Sequence, residues 1–434
     1  MNLVRIGLAG FGNIGSSVFE NLKRNASLIE SRSGLNLAIT AIAEKDIRRK
    51  RRVALPKSLH VPNLEALIQR SDIVIELMGG CGAAAELALG ALRAGKPVVT
   101  ANKAMLAVRG REIFSASALH QTPIFFEASV AGGIPVLRAI RESLMVNRFS
   151  HIYGIVNGTC NYILTQMAER GVAFADALKE AQELGYAEPD PTFDIEGFDS
   201  AHKATVLATL AYNRCVDFKQ VYVEGITRIS AEDMRCARQL GYAIKLLAIV
   251  RRVDDREVEV RVHPTLIPQH NRLVSIRGVT NAVSIRGHVV GDLEFSGPGA
   301  GGNATSSAVI GDLIEAARYH LSRRGCNQPP FNAIIHPDGP RVKKMGDVVS
   351  RFYLRLAVED SPGVLAQISS LLGKAKIGIA SVIQTEARAG KTVPLILMTH
   401  EARNLSMQNA LKKISRLKCV KAKPVTFRVE TFEN

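Results

Sequence analysis

The chain predicts an α/β protein of three units: a doubly wound, mostly parallel sheet, an α+β unit, and a small ferredoxin-like module. Three observations carry that expectation. A G-x-G-x-x-G lies between a strand pattern and a helix pattern near the start, and strand and helix periodicities alternate over residues 3–127. A βαββαβ order then follows a proline-rich boundary near the end. The 434 residues, 47% hydrophobic and 22% charged, suit a soluble globular chain of two to four domains. No apolar run approaches the ~20 residues of a membrane span, and Met1–Ile6 enters a strand pattern without a signal-peptide layout. Six cysteines without a Cys-x-x-Cys pair argue against a disulfide framework and a thiolate zinc site, and point to a reducing, cytoplasmic setting.

Leu3–Ala9 is short, apolar and glycine-bounded, as a buried parallel strand is. Gly10-Phe11-Gly12-Asn13-Ile14-Gly15 follows, then Ile14, Val18 and Leu22 at helical spacing. In that context Gly10 permits a tight turn, Gly12 lets backbone approach a pyrophosphate, and Gly15 lets helix and strand pack closely. The helix N-terminus supplies N–H donors. A second strand, Leu35–Ala43, ends in Glu44-Lys45-Asp46 and runs on to Arg48-Arg49-Lys50-Arg51-Arg52. An acid here would hold a ribose 2′-hydroxyl, as in NAD, and a base such as Arg48 a 2′-phosphate, as in NADP; both signals are present. Strands at Ile73–Leu77, Pro97–Thr100 and Pro123–Glu127 alternate with helices through Leu87 and Leu92 and over 104–120. Lys103, just past a strand's carboxyl end, therefore points toward the cofactor crevice.

Beyond Glu127, the turn Ala128–Ile134 feeds a helix through Leu137, Ile140 and Leu144, and its carbonyls are suited to a hard cation or to a plain connector. A strand at Phe149–Val156 and helices at 161–170 and 174–184 lead to five carboxylates between Glu188 and Asp199, stiffened by Pro189 and Pro191. Asp199 and Lys203 stand at i, i+4. Spacing alone fits an N-cap aspartate beside a surface lysine; the acidic loop instead suits a substrate that carries an ammonium. Residues 221–300 alternate short Val/Ile-rich runs with turns, an open sheet, and Gly297–Asn303 forms a glycine loop before a helix over 304–324. Pro329, Pro330, Pro337 and Pro340 mark a boundary. Strands at Arg351–Val358, Ile377–Thr385, Val393–Thr399 and Val420–Val429 follow, with helices at Val364–Ala375 and Ser406–Arg416.

The net charge of +16 raises the question of a nucleic-acid partner. Residues 341–434 hold 17 Lys/Arg against 7 Asp/Glu, but singly and with few aromatics between them to stack bases. Nucleic acid is therefore the lesser reading, and a basic regulatory protein the alternative from another class.

Taken in order, these segments resemble homoserine dehydrogenase over almost the whole chain. The resemblance rests on Asn157-Gly158-Thr159-Cys160-Asn161-Tyr162-Ile163-Leu164, on Gly185-Tyr186 through Lys203, and on Thr100-Ala101-Asn102-Lys103. Arg261-Val262-His263-Pro264 and Gly297-Pro298-Gly299-Ala300-Gly301 add to it. It implies a Rossmann domain over 1–134 with helix 304–324, a catalytic and dimerisation domain over 135–303, a linker over 325–350 and an ACT-like domain over 351–434. It implies reversible reduction of L-aspartate 4-semialdehyde to L-homoserine with NADP or NAD, within threonine, methionine and isoleucine biosynthesis. Lys203 would be the proton donor and Lys103 a second lysine at the reacting oxygen. Glu188, Asp199 and Asp194 would hold substrate. Phe11, Asn13, Ile14, Lys103, Gly185 and Gly302 would meet the cofactor, and Glu127, Val130, Gly132 and Ile134 a monovalent cation such as Na+. Asp360-Ser361-Pro362-Gly363-Val364-Leu365 looks like the first turn of an ACT domain, which implies either threonine feedback or a ligand-free dimerisation module. A homodimer or higher homo-oligomer is expected. The alternative among enzymes is another amino-acid-pathway dehydrogenase on the same Rossmann-plus-ACT plan.

Overall fold

A computed structural model describes residues 3–48, 51, 53–322, 335–384 and 392–432. Arg49, Lys50 and Arg52 of the basic run, residues 323–334 with Cys326, Pro329 and Pro330, and Thr385 lie outside the described residues.

The first unit runs β1 (Leu3–Ala9), α1 (Asn13–Arg24), α2 (Ala26–Ser33), β2 (Asn36–Ala43), α3 (Leu64–Gln69), β3 (Ile73–Glu76), α4 (Ala83–Arg93), β4 (Val98–Thr100), α5 (Lys103–Leu119) and β5 (Ile124–Phe125). Its sheet has the order β2-β1-β3-β4-β5 and every pairing is parallel. The order reverses between β1 and β3, which opens a crevice at their carboxyl ends. Ile6, Leu8, Ile73 and Ile75 are fully buried, so the strands read as continuous apolar runs. Glu127 does not end the fifth strand: β5 stops at Phe125 and Glu127–Ser129 forms a 3-10 turn.

The middle unit runs α6 (Val136–Arg138), β6 (Phe149–Ile155), α7 (Gly158–Arg170), α8 (Phe174–Glu183), α9 (Thr192–Ile195), α10 (Phe198–Tyr212), β7 (Tyr222–Val223), α11 (Ala231–Gln239), β8 (Tyr242–Arg252), β9 (Glu257–Pro268), β10 (Thr280–Gly287) and β11 (Gly291–Pro298). The helix expected through Leu144 is short, because α6 passes into a π-helical turn at Ala139–Ser143. α7 starts three residues earlier than its periodicity suggests, because the Asn157 side chain accepts the Cys160 N–H and caps it. Gly297 and Pro298 finish β11 rather than open a loop. α12 (Gly302–Ser322) then returns to the first sheet, where Val309, Leu313, Ala316 and Ala317 pack with Val18 of α1 and Leu8.

The last unit holds β12 (Arg341–Val342), β13 (Val349–Glu359), α13 (Val364–Lys374), β14 (Ile379–Gln384), β15 (Thr392–Thr399), β16 (Ala402–Arg403), α14 (Asn404–Ile414) and β17 (Val425–Val429). Its sheet is not separate. β17 pairs parallel with β9 at Arg428↔Thr265 and Val429↔Leu266, so one sheet runs β11-β10-β6-β8-β9-β17-β13-β15-β14 through both units. Among the described residues, no helix is long and apolar enough to cross a membrane.

Candidate functional site

The glycine loop sits at the crevice. Gly10 has φ 89°, and a Cβ there would lie 2.5 Å from the Leu77 carbonyl oxygen. A Cβ at Gly15 would lie 2.1 Å from the Gly10 carbonyl oxygen, so only glycine lets α1 start this close to β1. Gly12 faces open space and caps α1 without a side-chain bond, so the first N–H groups of α1 have no intrahelical or side-chain cap partner. Such a cradle fits a dinucleotide pyrophosphate. Phe11 is buried beneath it, and Gly302 at the start of α12 packs so near α1 that a Cβ would meet Ser17 Oγ at 2.4 Å.

At the end of β2, the Glu44 carboxylate accepts the Phe11 N–H at 2.6 Å and faces the Arg51 guanidinium at 3.4 Å. Arg51 Nε also donates to the Phe11 carbonyl at 2.7 Å. Arg51, not Arg48, therefore lies on the glycine loop; Arg48 is exposed, and its backbone N–H bonds Asp46. On the far side of the crevice, buried Glu76 accepts the Thr100 hydroxyl at 2.6 Å and the Met78 N–H at 2.8 Å. Asn102 caps α5 and donates to the Gly80 carbonyl at 2.7 Å, which fixes the point where Lys103 leaves the sheet.

Four elements then bring charge to one place. Lys203, one turn along α10 from Asp199, donates to Asp199 Oδ2 at 2.7 Å and to the Val156 carbonyl at the end of β6 at 2.6 Å. Lys103, at the start of α5, meets the other oxygen, Asp199 Oδ1, at 3.1 Å. Asn157 Nδ2 reaches Asp199 Oδ2 at 2.8 Å and Asp194 Oδ1 at 2.7 Å. Burial pushes the Asp199 carboxyl up, but Lys203, Lys103 and the donated hydrogen bonds outweigh it and hold it well below the usual range. Burial pushes the Lys203 ammonium down; Asp199 pulls it back and Lys103 adds to the lowering. Asp194 moves up through burial first and then the neighbouring Asp199 charge. His202 packs between Phe193 and Phe218, and its Nδ1 is buried without a hydrogen bond. Burial and then Lys103 push it down to about 4, so this ring is neutral at pH 7.

Lys103, Lys203, Asp199 and Asp194 are thus assembled together. Glu188 is exposed on the acidic loop, outside this cluster, and Gly185 (φ 74°) turns the same loop, held where Thr159 Oγ1 bonds the Tyr186 carbonyl at 2.6 Å. Sequence reasoning passed over Asn157 as a holder of two carboxylates, Glu76 at a strand end, His202 and Arg51. An acid closing the apolar run Ile73-Val74-Ile75 was the one legible signal among them.

Glu127, Val130, Gly132 and Ile134 lie in one turn against the start of α6. The Glu127 carboxylate accepts the Leu137 N–H at 3.0 Å and the Arg138 N–H at 2.6 Å, and its own N–H donates to buried Asp312 at 2.8 Å. Gly132 (φ 57°) touches the next loop: a Cβ would meet the Gly299 carbonyl oxygen at 2.4 Å. Burial lifts Glu127 to about 7 and lifts Asp312 as well. Glu127 and Asp312 thus bring two buried acids to this turn, oxygen groups of the kind a hard cation takes. In the last unit, Gly363 (φ 86°) turns the chain into α13, and Gln384 Nε2 holds Asp360 at 3.1 Å.

Comparison with known proteins follows the same division. The profile described as homoserine dehydrogenase matches residues 135–314, the one described as homoserine dehydrogenase, NAD binding domain, matches 10–127, and the ACT domain matches 352–418. The chain is 40% identical to homoserine dehydrogenase of Neisseria gonorrhoeae over 439 residues, covering 100% of each. It is 41% identical to that of Pseudomonas aeruginosa, covering 99% of each. Among solved structures it is similar to a homoserine dehydrogenase from Thiobacillus denitrificans, with TM-score 0.91, 39% identity and 99% of each chain covered. A hyperthermophilic archaeal homoserine dehydrogenase in complex with NADPH matches with TM-score 0.60 and 25% identity over 73% of this chain and 98% of that one.

Proposed function

The chain belongs to the homoserine dehydrogenases, and from that premise we propose how its residues divide the reaction. It is an oxidoreductase with a nicotinamide cofactor that reduces aspartate semialdehyde to homoserine. The cofactor, when bound, supplies the hydride to the aldehyde carbon. The oxygen left behind gains negative charge and needs a proton. Lys203 is our proton donor, since two of its three N–H groups go to Asp199 and Val156 and the third remains for substrate. Lys103 is the second cation at that oxygen. Asp199 orients both, Asp194 takes the substrate's ammonium, and Glu188 closes on it from the loop. The observation that carries this reading is a single buried carboxylate shared by two ammoniums beside the crevice.

The glycine loop Gly10–Gly15, with Gly185 and Gly302, takes the dinucleotide. NADP is the favoured form, because Glu44 is already bound to the Phe11 N–H and Arg51, while Arg48, just beyond β2, stands exposed for a 2′-phosphate. A monovalent cation such as Na+ at Glu127 and the carbonyls of Val130, Gly132 and Ile134 would hold the two domains' connecting turns. Threonine at the Gly363 turn, a homodimer and a cytoplasmic setting complete the reading.

The test follows NADPH and NADH absorbance with L-aspartate 4-semialdehyde, with and without millimolar threonine, in sodium or tetramethylammonium salts. Expected are faster NADPH oxidation, slowing by threonine, and loss of rate without sodium that Glu127→Gln abolishes as a dependence. Lys203→Ala keeps its fold and loses about 10²-fold or more in kcat; a near-wild-type kcat would end the assignment of the donor.

A further inference from the structure

Away from the catalytic cluster, a further charge is buried, among the described residues without a counter-ion. Lys245, near the start of β8, is 6% exposed, and its Nζ donates to Asn161 Oδ1 at 3.0 Å and to the Ile276 carbonyl at 2.5 Å. Both acceptors are neutral, and among the described residues Lys245 makes no ion pair. The ammonium lines a cavity of about 100 Å³. Arg238, from the last turn of α11, and Arg277, ahead of β10, line it too, and Glu169 is its only acid. Glu169 is itself engaged by Arg277 at 3.0 Å. Gln269 and Thr165 add neutral polar groups.

A cation held out of water by neutral acceptors alone is costly unless an anion joins it. Burial, and then Arg277, push Lys245 down to about 8, while Glu169 pulls it up. The space exceeds the ~30 Å³ share of one water and suits a compact oxyanion. Arg238 and Arg277, both exposed, add guanidinium groups to its lining, the side chains best suited to phosphate oxygens.

We propose that this cavity is a binding site for a compact phosphate-type oxyanion, held by buried Lys245 and by the exposed Arg238 and Arg277 that line it with Lys245. The site stands apart from the cofactor crevice but shares a helix with the catalytic cluster. Asn157 caps α7 and holds Asp199, and Asn161, one turn on, holds Lys245.

Calorimetric titration of inorganic phosphate into the full-length enzyme tests this, with chloride at matched ionic strength as the reference. The enzyme is held in its complex with NADPH and homoserine, so that the cofactor and substrate sites are filled. Saturable one-site binding is expected, weakened at least tenfold in the double variant Arg238→Ala, Arg277→Ala, whose basal turnover stays unchanged. Phosphate should likewise raise the melting temperature of the wild type and not of the double variant. Absence of saturable binding, or equal binding by the two proteins, would overturn the site.

Discussion

An ammonium at the first residue of a helix opposes the helix dipole, so Lys103 sits where its charge is unfavourable unless something holds it. Asp199 does so at 3.1 Å, and the same carboxylate opposes the lowering that burial imposes on Lys203. The sign of the coupling gives a pH prediction. With Lys203 as the proposed donor, reduction needs it protonated, so kcat/KM for the semialdehyde should fall as pH rises through the lysine's pKa. Asp199 raises that pKa, whereas burial and Lys103 lower it. In Asp199→Asn only Asp194 is left to oppose the lowering influences, and the alkaline limb of the kcat/KM profile moves to lower pH. A limb that stays in place, or moves up, would show that another group donates the proton. Lys203→Arg, whose guanidinium holds its proton at any accessible pH and so cannot donate it, should lose kcat as Lys203→Ala does.

The glycine loop shows the same economy at the level of elements, since β1 and α1 are joined by a turn that only glycines allow. Gly15→Ala forces a methyl group to within 2.1 Å of the Gly10 carbonyl oxygen, which must shift and carry the cradle with it. The expected result is at least a tenfold rise in the Kd for NADPH, measured by fluorescence, with a lowered melting temperature. Gly12→Ala meets nothing within the protein, so it should spare the melting temperature and weaken cofactor binding alone. Much of this was legible beforehand, because apolar runs and glycine spacing are local signals. The i, i+4 spacing of Asp199 and Lys203 was legible too, but it read equally as a capped helix beside a surface lysine. What decided between them was the arrival of Lys103 from another layer, a tertiary fact. Asn157 was hidden for a similar reason: a cap looks the same in sequence whether or not its amide also holds two carboxylates. Within the run Arg48–Arg52, no sequence pattern tells which guanidinium turns inward to Phe11.

At the scale of the molecule, the unit expected over 351–434 reads in sequence as an appended module, yet its last strand completes the catalytic sheet. β17 covers the edge of β9, and the junction is charged. Arg261, 2% exposed, meets Glu430 at 3.1 Å, Arg428 meets Glu224 at 2.8 Å, and fully buried Asp233 on α11 accepts Arg355 of β13 at 2.6 Å. Strand order cannot be read from the periodicity of single strands, which is why the fusion went unseen. Deleting residues 351–434 therefore does more than remove a regulator. It uncovers a sheet edge, takes from Asp233 and Glu224 their arginine partners, and leaves Arg261 with Glu259 alone. A buried charge left unpaired costs about 3–5 kcal/mol, against a total stability of about 5–15 kcal/mol. The truncated chain should aggregate, or melt far below the full-length enzyme in calorimetry, instead of yielding an active, threonine-insensitive protein. Arg355→Met separates the two ideas with a single substitution: it leaves the Gly363 turn intact and removes the cation that Asp233 and Glu232 share. Its melting temperature should fall while the threonine response of the remaining folded enzyme persists. A truncated chain that stays monodisperse and melts with the full-length enzyme would instead mean that β9 tolerates an open edge.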